Sequence, residues 1–170
     1  MTREAVLRRR IRRWLLFFVA GLVASGLTAF PLETETRGLV RLIAPWRVEL
    51  SGLASWIERV HGALVDTGAR YPFLAYGTDW LAFAHLVIAA AFWGPWRDPV
   101  RNVWVIEWAM VACAGVVPLA LVCGAVRGIP MYWRVVDMSF GAFGILPLLL
   151  LRRDIRALER ATFSGVGNRS

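Results

Sequence analysis

Four mostly apolar runs, at residues 14–30, 80–95, 103–123 and 135–151, leave this chain few ways to fold. Each is close to the length that a tilted helix needs to cross a hydrocarbon core. With 58% hydrophobic residues and nine tryptophans among 170, the chain is too apolar for an ordinary soluble domain of its size. The expected fold is therefore all-α: a polytopic membrane protein, a bundle of four transmembrane helices with an amphipathic helix on the outer side. Residues 1–161 are expected to form a single integral membrane domain, with 31–78 as its outer segment and 162–170 as a polar tail.

The arginines orient these spans. The net charge is +8 and every basic residue is Arg, but much of that charge sits in two terminal clusters beside apolar segments. Such placement reads as topology rather than nucleic-acid binding. Arg8, Arg9, Arg10, Arg12 and Arg13 precede the first run, whereas Pro31, Glu33 and Glu35 follow it, which puts the N-terminus inside. The run is longer than a usual signal-peptide core and further spans follow, so an uncleaved anchor is favoured over cleavage after Ala29. Four crossings return the C-terminus inside. This topology places twelve arginines inside and seven outside, leaving Arg169 uncounted. Trp14, Trp93, Trp96, Trp104 and Trp108 then fall near the inner interface, and Trp80 and Trp133 near the outer one. The expected location is the bacterial cytoplasmic (inner) membrane.

Two connections carry information. In the inner link, Asp98 is expected to cap the third helix and Pro99 to occupy its first turn. In the outer segment, Leu50, Leu53, Ile57, Val60 and Leu64 recur at alternating spacings of four and three, predicting an amphipathic helix that lies on the membrane or the bundle. Thr78 or Asp79 is a candidate N-cap where the chain re-enters. Cys113 and Cys123 lie ten residues apart on one predicted helix, about 15 Å along its axis, too far to bridge.

Ionisable residues in hydrocarbon are costly, so those on the spans are the functional candidates. One group is expected in the outer layer: Asp79 at the edge, Asp137 a few ångströms down, and His85 about 7 Å down by the helical rise, with Arg134 nearby. A neutral imidazole beside carboxylates can exchange protons or offer metal ligands, although no ligand spacing is present. The alternative is a hydrogen-bonded contact that sets helix register. A haem between His61 and His85 would draw on separate segments whose approach the sequence does not establish. The second group is Glu107, about 6 Å inside the inner boundary, where Arg97, Arg101, Arg152 or Arg153 could pair with it. Glu107 with Arg97 and Arg101 is accordingly the candidate proton or ion-pair site.

No phosphate loop, HExxH, paired CxxC or GxSxG motif occurs, and the sequence names no cofactor or metal. Small-residue faces, such as Ala20, Ala24 and Thr28, or Gly141 and Gly144, suit helix contacts. The leading expectation is a small multi-pass accessory, scaffold or assembly component. A proton-coupled transporter of a small solute and a metal-assisted lipid enzyme are the alternatives. Expected partners are membrane lipid, including anionic headgroups at the inner face, and another membrane protein or a second copy of the chain, but not nucleic acid.

Overall fold

The computed structural model describes residues 2–166, with side chains through Thr162, and is all-helical, with no strand among them. Seven α-helices follow one another: α1 (Arg3–Thr28), α2 (Leu32–Ile43), α3 (Ser51–Arg70), α4 (Ala75–Ala91), α5 (Trp93–Arg97), α6 (Val103–Val126) and α7 (Met131–Val166). Four stretches are long and apolar enough to cross a membrane: Arg3–Thr28, Pro72–Arg97, Val103–Val126 and Met131–Thr162. The chain clusters into two compact units, Met1–Ala20 with Ala90–Ser170, and Gly21–Ala89.

The first unit is built around the hairpin of α6 and α7. Contacts pair Gly124 with Arg134, Cys113 with Gly141, and Glu107 with Arg152, so the two helices run antiparallel along most of α6. The absence of a side chain at Gly141 permits this approach, because a Cβ there would lie 2.5 Å from the Cys113 carbonyl oxygen. Close backbone packing of this kind gains dispersion contact where apolar burial offers little driving force, as between helices in lipid. Leu148, Leu151, Ile155 and Leu158 are completely or almost completely buried, as are Ile11 and Leu15 of α1. Their spacings of three and four, with Leu7 completing the α1 stripe, form two helical seams.

Helix α1 thus begins at Arg3, well before the apolar run at residue 14, because Leu7, Ile11 and Leu15 give the arginine-rich stretch a buried face. Helix α7 likewise passes beyond residue 151 and through the start of the expected tail, where Thr162 Oγ1 donates to the Leu158 carbonyl. The rest of that tail, residues 167–170, lies outside the described residues.

Between α5 and α6 the expected capping differs in detail. Helix α6 starts at Val103 with Asn102 as its N-cap residue, and no side chain caps it. Asp98 Oδ1 instead accepts the Arg101 N–H at 3.1 Å, while Asn102 Nδ2 donates to the carbonyls of Gly94 and Asp98. Pro99 therefore precedes the helix within a turn rather than occupying its first turn.

The second unit contains a helical hairpin of α2 and α3 together with the adjoining parts of α1 and α4. The sequence reading foresaw α3 but not α2. On α3, Ala54 and Ile57 are buried, Leu53, Val60 and Leu64 are half-buried, and Leu50 is exposed just before the helix. Helix α4 begins at Ala75, so Thr78 and Asp79 are helical residues and not N-caps; the Thr78 hydroxyl donates to the Ala75 carbonyl at 2.7 Å. Where α1 meets α4, a Cβ at Gly26 would lie 3.0 Å from the Ala82 carbonyl oxygen and 3.1 Å from His85 Cβ.

Candidate functional site at the charged ends of α1, α6 and α7

The antiparallel hairpin places Glu107, one turn into α6, against the arginine-rich part of α7. Its Oε1 accepts from Arg152 Nε at 2.9 Å and from Arg156 Nη2 at 3.3 Å. Arg152 and Arg156 are four residues apart and share one helical face, so both guanidinium groups reach the same carboxylate oxygen. Arg156 also donates from Nη1 to Glu159 at 3.2 Å, one turn further along α7. The result is a charge-alternating chain of Arg152, Glu107, Arg156 and Glu159.

Arg97 and Arg101, the expected companions of Glu107, form no ion pair with it among the described residues. Arg97 ends the short α5, and Arg101 lies in the turn closed by Asp98. Arg152, one of the arginines expected within reach of Glu107, occupies the place together with Arg156, which the residue pattern did not single out. Their advantage is geometric: α7 runs alongside most of α6, which brings positions 152 and 156 against Glu107.

A second charged contact was not foreseen. Asp154 is 2% exposed, and its carboxylate lies 3.1 Å from Arg10 Nε and 3.8 Å from Arg153 Nε. The Oδ2 atom is close to Arg10 yet has no hydrogen bond of good geometry, so charge attraction rather than a directed bond holds this side of the carboxylate. The signal was present in the spacing. Residue 154 follows Leu151 by three positions on the Leu148, Leu151, Ile155, Leu158 seam, so a carboxylate there must face the helix packed against it. Among the N-terminal arginines, Arg10 follows Leu7 by three positions and shares its side of α1.

The four residues expected as an outer polar cluster belong to different units: Arg134 and Asp137 to the first, Asp79 and His85 to the second. Arg134 is committed to backbone. Its Nε donates to the Ile129 carbonyl at 3.0 Å and its Nη1 to the Leu121 carbonyl at 3.4 Å, closing the turn between α6 and α7. Asp137 is half-buried and has no ion pair among the described residues.

Both histidines have one ring nitrogen occupied. His85 Nδ1 lies 2.8 Å from the Leu81 carbonyl oxygen, one turn back on α4. A carbonyl only accepts, so this contact puts a proton on Nδ1 and leaves Nε2 as the acceptor of a neutral ring. His61 Nδ1 lies 3.0 Å from Thr36 Oγ1, whose single hydroxyl proton is directed to the carbonyls of Leu32 and Glu33. The imidazole N–H therefore donates to Thr36 and ties α3 to α2. Among the described residues, no three of His, Cys, Asp and Glu gather in a group that could hold a metal ion.

Compared with protein-family models, with curated proteins and with solved structures, the chain matches none.

Proposed function

We propose that this is a multi-pass protein of the bacterial cytoplasmic membrane, with both termini on the cytoplasmic side, that serves as a scaffold or assembly component. The observation that carries this reading is the bridging of Glu107 by Arg152 and Arg156. A carboxylate that relays protons must part from its countercharges during the cycle, whereas Glu107 accepts from two guanidinium groups at once. Such a contact links α6 to α7. The second acid of this region, Asp154, likewise has its countercharges from Arg10 and Arg153 beside it.

Asp137 has a different role in this reading. An acidic side chain on an apolar helix, without an ion pair of its own, is suited to a basic or hydrogen-bonding group on a partner helix. The outer segment adds a second contact region, the hairpin of α2 and α3, where Leu42 near the end of α2 and Trp46 and Val48 in the connection are exposed.

Reconstitution into proteoliposomes tests the proposal against transport. Wild-type vesicles are expected to hold an imposed pH gradient as long as protein-free vesicles, and photocrosslinking from position 137 is expected to give one stoichiometric product. A proton flux that Glu107→Gln or Asp137→Asn abolishes would overturn the scaffold reading in favour of a proton-coupled transporter.

A further inference from the structure

The arginines of α1 divide by helical face. Arg10 is directed to Asp154, but Arg8, Arg9, Arg12 and Arg13 line the opposite side, where they border an open cleft of about 370 Å³ with Leu16 and Trp96. None of these four takes part in an ion pair among the described residues, and no acidic side chain lines the cleft. Positions 8 and 12, and 9 and 13, are one turn apart, so like charges repel along this face. The Arg12 guanidinium carbon sits 5.7 Å from the centre of the Trp96 ring, an attraction that orders one guanidinium over an aromatic wall.

A cleft with four cationic forks, an aromatic wall and an apolar edge at Leu16 matches a group that carries concentrated negative charge beside an apolar body. Arginine presents planar donors that match phosphate oxygens two at a time. We propose that this cleft binds a phosphate group, as the headgroup of an anionic phospholipid or as a free phosphate compound. Binding there cancels the repulsion along α1. The four arginines supply the oxygen contacts, while Leu16 and Trp96 face the less polar part of the ligand. This inference concerns one face of α1 and does not depend on the scaffold reading.

The test uses the full chain in a neutral detergent, with thermal unfolding and native mass spectrometry as readouts. The probes are short-chain phosphatidylglycerol, short-chain phosphatidylcholine and inorganic diphosphate. Phosphatidylglycerol is expected to remain bound and raise the melting temperature, whereas phosphatidylcholine, whose headgroup carries no net charge, does so weakly. Each cleft arginine removed is expected to weaken binding about fivefold, the factor that corresponds to about 1 kcal/mol per basic residue beside anionic lipid. Arg9→Gln with Arg13→Gln reads this loss. Arg59→Gln, on α3, removes charge at a residue that does not line the cleft and should bind as wild type. Arg13→Gln alone supplies the comparison if the double variant does not fold.

Stabilisation by phosphatidylglycerol that diphosphate does not compete away assigns the site to a lipid headgroup. Equal stabilisation by diphosphate assigns it to a free phosphate compound. Equal affinity in the Arg13→Gln and Arg59→Gln proteins, or no stabilisation by either anionic probe, would overturn the proposal.

Discussion

At the level of single residues, Asp154 carries the clearest energetic consequence. Its carboxylate is almost fully buried, and the half-exposed Arg10 provides its nearest countercharge. Removing one partner of a buried pair leaves an uncompensated charge, which costs about 3 kcal/mol at the lower end of the usual range; the second arginine, Arg153 at 3.8 Å, favours that lower end. Arg10→Gln is therefore expected to lower stability by about 3 kcal/mol. Asp154→Asn should cost less, since it strands a guanidinium that already reaches solvent. The double variant should cost less than the sum of the two, as for any coupled pair. Equilibrium unfolding in mixed micelles measures all three; strict additivity would mean that the contact contributes nothing. The sequence contained this pair only implicitly. Glu107 stood out because a lone acid in an apolar run is conspicuous, whereas Asp154 lies between Arg153 and Ile155 in a charged stretch where acids usually face water. The local spacing puts Asp154 beside the apolar seam of α7, but which helix covers that seam is set by the long-range packing of α1.

At the level of helices, the sequence located the four apolar runs but shortened the helices containing them. Hydropathy reports where the chain is apolar on all sides, and α1 and α7 continue beyond that region on amphipathic seams with one buried face. Helix α2 was missed although Leu32, Leu39, Val40 and Ile43 share one face, because that stripe is confined to twelve residues and broken by Thr36, whereas α3 repeats its apolar positions along twenty residues. The outer polar cluster was inferred from depth and from the faces that Thr78, Ala82 and His85 share on one span and Arg134, Asp137 and Gly141 on another. Depth and face on each helix do not say which partner a long side chain takes, and Arg134 satisfies carbonyls of its own hairpin. The pairing of α6 with α7 yields a prediction at this scale. Gly141→Leu would drive a side chain into the Cys113 carbonyl and Val116, so the hairpin must separate. Overpacking of this kind typically costs about 1–3 kcal/mol. A fall in melting temperature is expected for Gly141→Leu but not for Gly115→Leu, where a Cβ meets nothing within 4 Å. Equal effects at both positions would assign the loss to helix composition instead of close approach.

At the level of the whole molecule, the proposed topology follows from where arginines cluster and makes a sharp accessibility prediction. Twelve arginines assigned to the cytoplasmic side include the N-terminal cluster and the α7 cluster, both immediately next to apolar stretches, where the orienting effect is greatest. Five of the seven assigned to the other side belong to residues 31–78, and these are offset by Glu33, Glu35, Glu49, Glu58 and Asp66 in the same segment. Three of those acids pair locally: Glu33 with Arg37, Glu58 with Arg47 and Asp66 with Arg70. The hairpin thereby carries its basic residues with much of their charge neutralised, which lowers its resistance to crossing. In a background with Cys113→Ser and Cys123→Ser, a single Gly62→Cys in α3 is expected to react with an impermeant thiol reagent added to intact cells. Arg101→Cys and Ala161→Cys should react only after permeabilisation. Both of the latter bracket the charged contacts of Glu107, so they also report the side on which that cluster lies. Labelling of Ala161→Cys in intact cells would reverse the assignment, because the same reagent cannot reach α3 and the end of α7 from one side if four helices cross the membrane.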